Sequence, residues 1–187
     1  MNTARSFEPL TPETADPAAR PLMLASQANF GFLPSPLAKA AHSPALLKHL
    51  VAGFAAFERS SLSALEREVV AMAVAYEIEC HYCMAMHSAL LSRSSSPDPQ
   101  LVAALRSGGA LTDARLEALR RFVRALVLQH GRPSAAEWKA MDDAGYSAEQ
   151  TLDALLGVGV YLTSTLTNVV TDSQLDPPFE AFRWHKG

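Results

Sequence analysis

No stretch of this 187-residue chain alternates polar and apolar residues as a strand does. Its long apolar segments instead carry helical spacing and are bounded by helix starts and stops. Pro44 to about Phe57 encloses the apolar run ALLKHLVAGFAAF. Ser61 or Ser63 can cap the next helix, since Ser63, Ala64, Leu65 and Glu66 fit the capping-box pattern, and that helix runs to about Ile78. Another begins near Cys80 and ends at the serine-rich loop Arg93–Pro99. Helices are also expected over Gln100–Ser107, Asp113–His130, Ser134–Ala144 and Ser147–Val170, separated by Gly108-Gly109, by Gly131 with Pro133, and by Gly145. The sequence predicts an all-α, multi-helical bundle. A hydrophobic content of 49 % with only 7 % aromatic residues agrees.

At this length a single domain, 1–187, can bury a substantial core. Residues 1–45 are rich in proline and read as an extended arm with short helical pieces, one from about Pro17 to Asn29 and one within Gly31–Pro44. Residues 46–95 form a half holding both cysteines, and residues 100–187 form the second half and a tail. Leu62-Ser-Ala-Leu-Glu and Tyr146-Ser-Ala-Glu-Gln open long apolar segments 84 residues apart, which suggests two pseudo-repeated halves. That offset sets Ser164, Thr167 and Thr171 against Cys80, Cys83 and His87.

A net charge of −3 gives no general attraction to nucleic acid or acidic membranes. Arg120, Arg121 and Arg124 read as a solvated helix face. No run approaches the ~18 to 20 continuous apolar residues that span a bilayer. The opening MNTARSFEPLTPETADPAARP lacks an apolar signal core. The expected location is the cytoplasm, with neither a membrane nor nucleic acid as partner.

The chemistry concentrates in EREVVAMAVAYEIECHYCMAMHSALL, which holds both cysteines of the chain. Cys80, Cys83 and His87 fall at i, i+3 and i+7 and share a helix face. In a reducing compartment a lone CxxC points to catalysis or metal binding, and a disulfide closing so short a loop is a poor staple. A thiol attacks as its thiolate, and free cysteine at a pKa of about 8.5 is mostly protonated at neutral pH. A helix N-terminus near Cys80 favours negative charge there. His87 can accept a proton, and Glu68 can orient His87 or relay a proton to it. The second thiol then closes on the sulfenic acid of the first. Proximity to His87 favours Cys83 as the attacking residue, whereas helix position favours Cys80. Cys80, Cys83, His87 and Glu68 also form a possible zinc set. Glu66 reads as a capping acid, and Glu77 and Glu79 as solvent-facing or helix-starting residues. Met84 or Met86 could line an apolar pocket, and Tyr161 and Asn168 could reach the site.

The spacing Glu68-x11-Cys80-x2-Cys83-x3-His87 resembles the core motif of the alkylhydroperoxidase D (AhpD)-like proteins, within the carboxymuconolactone decarboxylase superfamily. ANFGFLPSPLAKAAHSPALL and NVVTDSQLDPPFEAF look like its longer "peroxidase-related" branch. The resemblance implies a helical protein assembling as a trimer or hexamer. It also implies that Cys80, Cys83, His87 and Glu68 carry out thiol-dependent reduction of hydroperoxides, with a thiol or protein reductant reopening the disulfide. No cofactor or metal is then required, since the two thiols carry both electrons. One departure is Tyr82, which stands where the best-known peroxidase members have histidine. His81 lies about 100° around the helix and is no simple substitute. Tyr82 keeps open a redox-sensing or binding module without efficient turnover. The true decarboxylases of the superfamily generally lack the paired cysteines, which argues against lactone decarboxylation.

Overall fold

Serine and aspartate caps set where most of the helices begin. The computed structural model describes residues 6–187; the first five residues of the opening stretch read above for a signal core lie outside it. Among the described residues there are nine α-helices and no strand. They are α1 (Arg20–Phe30), α2 (Ser35–Ala40), α3 (Pro44–Glu58), α4 (Ala64–Glu77), α5 (His81–Ser92), α6 (Pro99–Ser107), α7 (Ala114–Leu128), α8 (Ala135–Asp143) and α9 (Ala148–Val170), followed by a 3₁₀ turn over Pro177–Phe182.

α4 is the axis of the bundle. Ser63, not Ser61, caps it through a full capping box with Glu66. Val69 to Ala75 are buried on every side, between α5, α7 and α9. A helix apolar all round must lie inside a protein, and this one does. A second capping box, Ser147 with Gln150, opens α9, so the caps repeat at the offset of 84 residues seen in the sequence. The first half then breaks, because Glu79 takes a left-handed backbone (φ 59°) between α4 and α5, whereas α9 runs on for 23 residues.

The proline-rich N-terminal stretch carries the two short helical pieces that the sequence predicts, and it packs on the bundle rather than standing off as an arm. Prolines in the first turns of α1 and α2 start helices rather than prevent them. Ala15, Ala19, Met23, Leu37, Leu47 and Leu50 then bury one another in a second core against α3. Lys39 is buried and donates to the carbonyls of Thr171 and Asp172, both at 2.7 Å, tying α2 to the carbonyl end of α9.

Two charge expectations are corrected. Arg120 is buried, gripping the Glu117 carboxylate at 2.7 and 2.8 Å, and Arg124 is half-buried, so of the arginine cluster only Arg121 lies on a solvated face. Glu77 does not face solvent: its side chain is only 5 % exposed and pairs with Arg124. α7 lies along α4, and the charges on its flank are covered with it.

α9 is, among the described helices, the one long and apolar enough by composition to cross a membrane. About 44 % of its most apolar window is buried, and it packs on α3, α4 and α7 as a core helix. Its opposite side exposes Leu152, Leu155, Leu166 and Val170. Where α9 crosses α3 and α4, Gly157 leaves no room: a Cβ there would lie 2.5 Å from the Phe57 ring and 2.8 Å from Val70. Gly157→Ala is expected to destabilise the fold by about 2 kcal/mol and lower Tm by about 4 to 8 °C. A thermal melt matching wild type would show that the crossing relaxes freely.

Candidate active site

The break at Glu79 leaves Cys80 outside the helix, as the N-cap of α5, with Cys83 in the first turn. Both thiols are reduced and buried. The Cys83 N–H donates to Cys80 Sγ at 3.5 Å, so the thiol occupies the place of a capping hydroxyl. From α9, the Asn168 amide donates to Cys83 Sγ at 3.2 Å and to Cys80 Sγ at 3.7 Å.

This arrangement favours one negative charge on the pair. The Cys80 thiol is lowered to about 7 because Cys83 donates its S–H to it; the Cys83 and Tyr82 N–H groups and Asn168 add to the effect against the cost of burial. Cys83 is pushed well above its ordinary value by that same donation, by burial and by the neighbouring charge. Two adjacent buried sulfurs cannot both ionise readily, so the pair holds at most one negative charge, and Cys80 is the sulfur that takes it.

His87 follows Cys83 by one turn on the same face, and its ring is buried. Its Nδ1–H donates to Glu68 Oε2 at 2.8 Å, since a carboxylate can only accept. Nε2 is buried with no partner and is therefore left as a base. Tyr161 holds the ring edge-on at 5.2 Å. The structure thus joins Glu68 with His87 and Cys80 with Cys83, as the sequence predicts. Among the described residues no group of three or more His, Cys, Asp or Glu is gathered as a metal site.

Tyr82 is buried, and its hydroxyl donates to Asp176 at 2.6 Å. Burial and that carboxylate push its ionisation upward, so it cannot serve as a base. His81 turns to the tail, with Nε2 3.2 Å from the Ser173 carbonyl. Neither replaces the family histidine.

A cavity of about 400 Å³ opens onto this cluster. Cys83, His87, Glu68 and Asn168 line its polar end, while Phe54, Phe57, Met86 and Tyr161 supply apolar wall. Cys80 does not line it. Of the two methionines considered for a pocket, Met86 lines the cavity and Met84 is wholly buried. Asn168 is the contact the sequence leaves undecided: an 84-residue offset points to Thr167, one position short of it.

A helical bundle that presents a CxxC pair at a helix N-terminus is AhpD-like in fold. Residues 44–127, which hold all four motif residues, match the model of the Carboxymuconolactone decarboxylase family. Two uncharacterized peroxidase-related proteins share the whole fold. One, from Ralstonia eutropha JMP134 and described as an alkylhydroperoxidase AhpD core, has a TM-score of 0.81 at 18 % identity, covering 96 % of each chain. The other, from Silicibacter sp. TM1040, has a TM-score of 0.78 at 23 % identity, covering 98 % of this chain and 100 % of that one. The debrominase Bmp8 has a TM-score of 0.78 at 19 % identity, with 97 % of each chain covered. No curated protein matches the chain in sequence.

Asn168→Ala removes a donor to both sulfurs, which disfavours the charged form. The midpoint for ionisation of the reduced pair should rise from near 7 by about one unit, read as ultraviolet thiolate absorbance against pH. An unmoved midpoint would assign the shift to the helix N-terminus and Cys83 alone.

Proposed function

We propose that this protein is a thiol-dependent peroxidase in which Cys83 attacks a hydroperoxide and Cys80 resolves the product. The observation that carries this reading is the placement of Cys83 and His87, with its unpartnered Nε2, on one apolar cavity, while the charged partner Cys80 lies outside it. The Cys83 proton passes to His87 Nε2 only as the sulfur attacks the outer oxygen of R–O–O–H, so the two sulfurs are never charged together. The O–O bond breaks, an S–OH forms, and the departing alkoxide recovers the proton as R–OH. The Cys80 thiolate then attacks the Cys83 sulfur, the S–S bond forms, and hydroxide leaves as water after taking a proton. A dithiol reductant reverses the disulfide. The cytoplasm, where thiols are kept reduced, suits such a cycle. The apolar stripe Leu152, Leu155, Leu166 and Val170 suits assembly with further copies of the chain.

The aromatic walls of the cavity favour a second reading. A brominated aromatic could meet Cys83 there, giving up bromine to sulfur while the ring carbon takes a proton; Cys80 would then displace bromide. A cysteine variant of Bmp8 has been solved with a tribromopyrrole, which lends this chemistry some support.

Both readings are tested by counting thiols after one equivalent of cumene hydroperoxide or a bromopyrrole. Wild type should lose two thiols rapidly to peroxide. Cys80→Ser should stop at a sulfenic acid on Cys83, and Cys83→Ser should fail to react. Fast reaction of Cys83→Ser would reverse the roles. A single oxidation with no turnover under a recycled dithiol would favour a sensor, and bromide release would favour dehalogenation. His87→Ala should slow turnover about 100-fold without abolishing slow oxidation.

A further inference from the structure

Glu68 lines a second opening as well as the thiol cavity. This other cavity, of about 500 Å³, lies beneath the serine loop Ser94–Ser96 and reaches the starts of α6 and α7. Glu58, Arg67 and Leu90 share the wall between the two. Arg67 is fixed in that wall, donating to the Leu62 carbonyl at 2.6 Å and to Glu58 at 2.8 Å. The far side of the second cavity carries Asp98 and Asp113, whose carboxylates cap α6 and α7, together with the loop serines. Leu91, Leu101 and Leu116 also line it, but its hydroxyls and carboxylates suit water, whereas the aromatic wall of the thiol cavity suits an apolar ligand.

When Cys80 is ionised, the proposed reaction needs a proton from outside. One turnover of that form reads Cys83–SH + Cys80–S⁻ + ROOH + H⁺ → Cys83–S–S–Cys80 + ROH + H₂O. Reduction by a dithiol restores the thiol and the thiolate and releases one proton again. One proton must therefore enter and one leave in each cycle, and an apolar cavity filled by substrate is a poor route for either. The Glu68 side chain is 24 % exposed, holds His87 Nδ1 at 2.8 Å, and faces the polar cavity. His87 Nε2, aimed at no other group, completes a path from that cavity to the reacting atoms.

We propose that the second cavity is the proton port of the site, so that protons travel by Glu68 and His87 while the organic substrate uses the other opening. The inference rests on the peroxidase reading. The charged groups around the path are Glu58 and Arg67 from the shared wall, Asp98 and Asp113 across the cavity, and the thiol pair; Tyr161 from α9 covers the His87 ring.

The test fills the port without touching the thiol cavity. Leu65 is 40 % exposed, lines the second cavity and lies one turn before Glu68. Leu65→Trp should leave KM for cumene hydroperoxide unchanged. It should lower kcat several-fold above pH 7, where Cys80 is ionised, and enlarge the solvent deuterium isotope effect. Thr112→Trp, from the opposite wall, serves if Leu65→Trp does not fold. Glu68→Ala should be slow and partly restored by formate, and Leu65→Trp with Glu68→Ala should not be restored. The port is refuted if the filled variant keeps the wild-type kcat, pH profile and isotope effect, or if formate restores the single and double variants equally. Wild type that consumes no hydroperoxide would instead remove the peroxidase reading, and the port with it.

Discussion

Two sulfurs buried side by side tolerate a single negative charge, and the packing around α5 is arranged about that charge. The left-handed backbone at Glu79 ends α4 early enough for Cys80 to become an N-cap instead of a mid-helix residue. Only then do the first N–H groups of α5 point at the sulfurs. Asn168 approaches from the far side, three residues from the end of α9. That end is held in turn by Lys39, whose ammonium takes up the last carbonyls. A lysine in the N-terminal layer thus helps to fix the donor that faces the thiols.

The helices were legible because their caps are written locally. Ser63 with Glu66 and Ser147 with Gln150 announce α4 and α9 without any knowledge of the fold. The grouping of Glu68, Cys80, Cys83 and His87 was legible for a similar reason, since Cys83 and His87 share a face of α5, Cys80 caps that helix and Glu68 lies on the adjoining one. Asn168 was not, because its value depends on how α9 lies across α5, and a lone asparagine in an apolar helix carries no local sign of its partner. Glu77 misled for the complementary reason. A charged residue looks solvated until the opposite charge arrives from a distant helix, as Arg124 does for Glu77.

Tyr82 shows how a sequence departure is absorbed. The phenol does not mimic an imidazole; it extends past the sulfurs to Asp176, which also accepts from the Ser35 N–H at 3.1 Å. The tail, α2 and α5 are joined through one carboxylate. Where an imidazole could have stood beside the thiols there is a structural tie, and His87 Nε2 is the unpartnered ring nitrogen at the cavity.

The N-terminal layer has a consequence for how such a protein can diversify. Glu68, Cys80, Cys83 and His87 all fall within residues 44–127, but Phe30, Pro34 and Leu37 on one side of the cavity and Tyr161 and Ser164 on another come from outside that segment. The chamber is therefore drawn from two stretches of the gene: Phe54, Phe57 and Met86 travel with the thiols, whereas Tyr161, Phe30 and Leu37 do not. Substitutions at these borrowed walls can recast the shape of the chamber while the four motif residues stay as they are, a division under which one chamber can be refitted for many guests.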